Sequence, residues 1–264
     1  SSSFKVMDEN TKEDYDAGFT LAFTDGSKLD VLNAGNASGS HAVSVPSSAG
    51  AEGVANTSTN VAPTGLDFAT GSTAFGVEYH TAADFLADGL KVSASYSGDS
   101  EVAKAATSRM ASSYGVGATY VTTAGDTSLT IGAGYADSTT AISGTKLTND
   151  RNGFHVGVSA VTGDLTVAVG YADGDTITDD GATASLANTQ VDGNVVKAGI
   201  KYVTGDITLN VGAVSGEAKD SVTAGTAGTT DDAWDEVNAS VSLSLIHISE
   251  PTRLLSIADG VVGV

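Results

Sequence analysis

The chain has 264 residues and a formal charge of −20, from 32 acidic against 12 basic side chains. That charge repels nucleic acid and leaves a surface that attracts cations. Cysteine is absent, which excludes disulfides, thiolate metal sites and thiol catalysis, and no run of eighteen or more apolar residues encodes a membrane-spanning helix.

Residues 1–16 are polar and charged and read as a loop. Residues 17–24 read as a strand, with Phe19, Leu21 and Phe23 on one face and Thr20 and Ala22 on the other. Asp25-Gly26 is a hairpin turn signal, because both residues tolerate positive φ. Residues 27–32 pair back, with Leu29 and Val31 opposite Lys28 and Asp30. The longest connection follows, about residues 33–73. It is rich in Ala, Gly, Ser, Asn and Thr and holds Pro46 and Pro63. A connection of that length is either functional or disordered.

Residues 75–80 and 90–96 are the next two strands, followed by a second long loop at 98–113. Residues 114–120 and 129–135 form a hairpin, and a third long loop spans 137–151. The clearest stretch is 152–216. Phe154, Val156, Val158 and Ala160 alternate with His155, Gly157 and Ser159. After the turn Thr162-Gly163-Asp164, Leu165, Val167, Val169 and Tyr171 alternate with Thr166, Ala168 and Gly170. A polar loop at 173–193 precedes a second copy of the design. There Val196, Ala198, Ile200 and Tyr202 oppose Lys197, Gly199 and Lys201, and the turn Thr204-Gly205-Asp206 leads to Ile207, Leu209, Val211 and Ala213. An acidic loop at 215–235 and a last strand at 237–245 complete about eleven strands.

Alternation alone fits a soluble sandwich as well as a membrane barrel. Four features favour an all-β antiparallel transmembrane barrel. The apolar positions carry no charge, whereas Lys or Arg facing lipid costs ~2–4 kcal/mol at the midplane. The other face does carry charge: Lys28, Glu78, Lys91, Lys197 and Lys201. Tyr96, Tyr114, Tyr135, Phe154 and Tyr171 sit beside long loops, with Tyr120 and Tyr202 beside short turns, as aromatic girdles do. Short turns alternate with long loops throughout. The alternative is a structural cell-surface β-protein, an adhesin or S-layer-like domain with no channel.

Certain segments carry a resemblance: LDVLNAGNASGS leading into the long loop, FGVEYHTAADFLADGLKVSASYSGD, and the repeated GVGATYV and LTVAVGYADGD hairpins. Over residues 17–245 the chain resembles the general diffusion porins of the Gram-negative outer membrane, particularly the Rhodobacter-like alphaproteobacterial type. The resemblance implies a barrel of about sixteen strands, of which this chain holds a part, and a homotrimer in outer-membrane lipid. It also implies passive passage of small hydrophilic solutes and ions, with no catalysis and no cofactor. The loop at 33–73 then folds inward to narrow the pore, with Glu52 and Asp67 as its acids. Lys28, Glu78, His80, Lys91, Lys197 and Lys201 become lumen residues that tune selectivity, and the acidic total predicts cation preference.

Residues 1–245 are thus the partial barrel domain. Residues 246–264 lose the alternation, and SLIHISEPTRLL at 244–255 reads as translated adapter sequence, an artefact with no functional weight. The acids of 173–180 have no EF-hand spacing, so loop-bound Ca²⁺ is not expected. His41, His80, His155 and His247 have no metal-ligand spacing along the chain, and no metal is expected at them. No Ser-His-Asp grouping, P-loop or paired catalytic carboxylates appear.

Overall fold

The computed structural model describes residues 2–4, 19–31, 36–48, 50–53, 76–98, 109–141, 147–180, 189–222 and 230–243. In chain order the strands are β1 (Ser2–Phe4), β2 (Phe19–Ala22), β3 (Lys28–Val31), β4 (Ser44–Ser47), β5 (Gly50–Gly53), β6 (Gly76–His80) and β7 (Leu90–Gly98). The long strands follow: β8 (Arg109–Ala124), β9 (Thr127–Ala141), β10 (Leu147–Thr162), β11 (Leu165–Asp180), β12 (Thr189–Thr204), β13 (Ile207–Val222) and β14 (Thr230–Leu243). One antiparallel sheet of twelve strands runs β1-β2-β3-β6-β7-β8-β9-β10-β11-β12-β13-β14, and β4 and β5 pair separately.

Each strand pairs with its sequence neighbour, as a meander of hairpins must. The exceptions are β4 and β5, which interrupt the path between β3 and β6. The hairpin turns close on glycines such as Gly163, whose φ of 55° a side chain would resist.

The eleven strands read from the alternation are all present. Three features differ from the sequence reading. Ser2–Phe4, read as loop, pairs with β2, and the long loop contains the β4–β5 hairpin. The strands are also longer than their apolar stretches. Most of 137–151, 173–193 and 215–235, and the ends of 98–113, expected as loops, belong to strands. The reason lies in register. Asp137 continues the row of Tyr135, and Asp173 and Asp175 continue the row of Tyr171, so the ladder persists after its outer side chains turn acidic.

The apolar face is uncovered. Val169, Ile200 and Val211 are 49%, 48% and 47% exposed, and Tyr79, Tyr96, Tyr114, Phe154 and Tyr202 are exposed with them. Among the described residues no second sheet covers these side chains, so they do not form the core of a sandwich. Tyr114 and Tyr120 bound this band on β8, about 20 Å apart along the strand at ~3.4 Å per residue, close to the height of a barrel's apolar belt. Neighbouring rings meet at the long-loop side of the belt. The centroids of Tyr114 and Tyr135 are 6.4 Å apart, and those of Phe154 and Tyr171 are 5.9 Å apart.

Burial lies on the opposite, polar face. Val43 and Val45 pack there on Ala168, and a small patch joins Ala172, Val195, Val214 and Ala218.

Candidate functional site: the inner face and its docked loop

Residues 36–48 run along the polar face of the sheet and are bonded to it at many points. A short 3-10 turn, Gly39–His41, packs on β8 and β9, while β4 packs on β11, β12 and β13. The amide of Ala37 donates to Ser95 Oγ (3.1 Å), and His155 Nε2 donates to the carbonyl of Ser38 (2.9 Å). Ser40 Oγ reaches Glu78 Oε1 at 3.5 Å, and the amide of Ser48 donates to Asn238 Oδ1 (2.7 Å). The strand residues involved all belong to the polar face, so alternation within each strand fixes which side the loop can occupy.

Glycine makes the approach sterically feasible. A Cβ on Gly132 would collide with the carbonyl oxygen of His41, and a Cβ on Gly199 with that of Pro46. The loop backbone lies where side chains would otherwise stand.

His41 is the best-anchored residue of the loop. Its Nδ1 meets Thr119 Oγ1 at 2.6 Å and its Nε2 meets Ser93 Oγ at 2.8 Å. Burial pushes its pKa down to about 4, and repulsion by His80 and His155 when they are protonated, and by Lys91, adds to the effect. It is therefore neutral at neutral pH. Ser93 Oγ also contacts His80 Nδ1 (2.9 Å), so one hydroxyl bridges two imidazoles.

A charged cluster lies beside this contact. The β3–β6 register sets Asp30 opposite Glu78 and Lys28 opposite His80. Lys28 Nζ is 3.1 Å from Asp30 Oδ2, His80 Nε2 is 3.3 Å from the same oxygen, and His80 Nε2 is 3.4 Å from Glu78 Oε1. Thr20 Oγ1 donates to Asp30 Oδ1. Glu78 is only 3% exposed. A cleft of about 460 Å³ opens here, lined by Lys28, His41, His80, Lys91 and Ser93 among others.

The candidate residues therefore separate. Lys28, His80 and Lys91 line this cleft, and Glu78 joins them through its contact with His80. Lys201 is exposed on the same face but lies on β12, five strands beyond β7. Lys197, expected to face water, is 1% exposed, because Val45, Pro46 and Ser47 of β4 lie against its site. Glu52 lies in β5 with its backbone paired to Val45. Asp67, Phe75 and the tail at 246–264 lie outside the described residues.

Sequence reasoning did not single out Asp30, Ser93 and Thr119, and weighed His155 only as a metal ligand. Their only signal was membership of the polar face, since their partners are distant in the chain and adjacent only through strand pairing. His80 was assigned to the lumen, but its grouping with Asp30 and Glu78 follows from register and not from spacing.

No curated protein matches the chain. Among solved structures it is similar to outer-membrane expressed OmpT of Vibrio cholerae, at 15% identity over 86% of this chain and 79% of that one, with a TM-score of 0.43. It is also similar to a loop-deletion variant of OmpT, an outer membrane protein of Vibrio cholerae, at 18% identity over 84% and 67% of the two chains, with a TM-score of 0.49. The family description that matches is Gram-negative porin, over residues 8–245. With an exposed apolar belt, a polar inner face and a match across nearly its whole length, the chain belongs to the Gram-negative porin family of outer-membrane, channel-type β-proteins.

Proposed function

We propose that this protein is a passive diffusion channel for small hydrophilic solutes and ions, with no catalytic step, and that the loop beginning at residue 33 sets the width of the pore. The supporting observation is a loop hydrogen-bonded along the polar face of a sheet whose other face is apolar and bare. Kinship with the alphaproteobacterial porins, suggested by residues 29–40 and 75–99, and assembly as a homotrimer belong to the same reading.

The ion preference needs a more local argument than total charge. The inner face carries Lys28, Lys91, Arg151, Lys197 and Lys201 against Asp30, Glu78 and Glu236. The other acids described on the strands gather toward the long-loop side: Asp137, Asp150, Asp173, Asp175, Asp192, Glu217 and Asp235. Cation preference in this reading arises at that mouth, where acids raise the local cation concentration. It weakens with salt, since the Debye length falls from about 10 Å at 0.1 M to about 3 Å at 1 M.

Planar-bilayer recording of the full-length protein tests both parts. Stepwise ohmic conductance is expected, with a cation-favouring reversal potential in a dilute salt gradient that shrinks in a concentrated one. A membrane-inserted protein that does not conduct removes the channel. An anion-favouring potential in dilute salt removes the mouth argument alone.

A further inference from the structure

We propose that Asp30, Glu78 and His80 form a binding site for one divalent transition-metal ion, with zinc the best fit, on the inner face where β3 pairs with β6. The site goes beyond the channel reading and does not depend on whether the protein conducts.

The first argument is geometric. Zinc bonds to imidazole nitrogen and carboxylate oxygen are ~2.0–2.2 Å, so tetrahedral ligand atoms stand about 3.3 Å apart. His80 Nε2 is 3.3 Å from Asp30 Oδ2 and 3.4 Å from Glu78 Oε1. Those distances match two edges of a tetrahedral ligand set, and the three ligand atoms all lie within 4.8 Å of one another.

The second argument concerns protons. His80 Nε2 is buried and has no hydrogen-bond partner, although two carboxylates stand beside it. A hydrogen on Nε2 would lie in the ring plane and reach neither oxygen with bonding geometry. The other tautomer is better served: Nδ1–H donates to Ser93 Oγ (2.9 Å), Ser93 O–H donates to His41 Nε2 (2.8 Å), and His41 Nδ1–H donates to Thr119 Oγ1 (2.6 Å). In that chain the Nε2 lone pair faces two anionic groups, an arrangement that a bound metal cation satisfies.

The surroundings match those of a metal centre. Metal-bound histidines are oriented by a partner on the other ring nitrogen, and ligating carboxylates are hydrogen-bonded in turn. Ser93 orients His80, Thr20 donates to Asp30 Oδ1, and Ser40 Oγ lies 3.5 Å from Glu78. Lys28 shares Asp30 Oδ2, but its side chain is 47% exposed and can swing into the cleft when a metal enters. The cleft, which His80 and Lys28 line, supplies the approach. One imidazole with two carboxylates favours Zn²⁺ or Ni²⁺ over the oxygen-seeking Ca²⁺ and Mg²⁺.

The test is calorimetric titration of ZnCl2 into the detergent-extracted full-length protein at pH 7.5, with X-ray absorption at the zinc edge on the same sample. One zinc per chain is expected, with a first shell of one imidazole and oxygens, undisturbed by 10 mM CaCl2. Asp30→Asn and His80→Ala are each expected to weaken binding at least tenfold. Substoichiometric uptake overturns the proposal. So does an all-oxygen shell, or binding unchanged in both variants, which would move the metal to the acids of the long-loop side. The absorption spectrum of the unaltered protein decides the matter even where a variant fails to fold.

Discussion

At the scale of single residues, His41 is where the loop is most sensitive to its surroundings. It is buried, neutral, and wedged between two strand hydroxyls. Its pKa is lowered from 6.5 to about 4, so an undocked loop binds its proton more readily than a docked one. The sign follows by linkage. Docking is most stable above pH 6.5 and loses stability as pH falls from 6.5 toward 4, where the proton preferred by the free loop must be given up or buried. His80, His155 and Lys91 oppose a charge at this position. Amide hydrogen exchange across residues 36–47 is therefore expected to speed up between pH 7 and pH 4.5. In His41→Gln, which keeps polar contacts without a titrating group, that pH step should vanish. An unchanged step in the variant would assign it to the carboxylates.

At the scale of elements, the loop and the strands beneath it form one steric unit. The loop carbonyls occupy positions that a Cβ would fill, so a β-branched residue at Gly199 cannot coexist with Pro46 in its present place. Gly199→Val is expected to leave the sheet intact, because valine suits a strand, and to lift β4 from β12. Single-channel conductance should rise and become noisier while heat-resistant migration in detergent persists. A conductance equal to that of the unaltered protein would show that β4 does not bound the open path. Much of this unit was legible in the sequence. The repeat of glycine on the polar rows, Gly132 and Gly134, Gly157, Gly199 and Gly212, is plain in the letters. Its meaning was not, because a glycine row is silent about what lies over it. The inward course of the loop came from a resemblance, with Glu52 and Asp67 as the acids of interest. The contacts described run through backbone carbonyls, serines and imidazoles, while Asp67 lies outside the described residues. Strand ends were misplaced for a related reason. At Tyr135–Asp137 and Tyr171–Asp173 the outer row changes solvent, from lipid to headgroup and water, while backbone pairing continues. Hydropathy reports the first change and cannot report the second.

At the scale of the whole molecule, the period of two assigns every side chain to lipid or to the interior, and neighbouring residues on one strand differ completely in the cost of a charge. Ile200 and Lys201 make the comparison. Ile200 is 48% exposed in the middle of the apolar belt, and Lys201, one position on, carries its ammonium on the other face. The same cation moved one residue back would enter hydrocarbon. Ile200→Lys is therefore expected to destabilise the barrel folded in phospholipid vesicles by ~2–4 kcal/mol, the midplane cost for Lys or Arg in such barrels. Lys201→Ile should change stability far less, since it removes an exposed charge from a polar surface and adds none to lipid. Urea titration of both variants by tryptophan fluorescence and gel migration measures the difference. Vesicles are required, because the penalty resides in the hydrocarbon and shrinks in a thin, disordered micelle. Equal stability for the two variants would mean that the Ile200 row does not face lipid, and with it would fall the assignment of Lys28, Glu78, His80 and Lys91 to the interior, since one register fixes both faces.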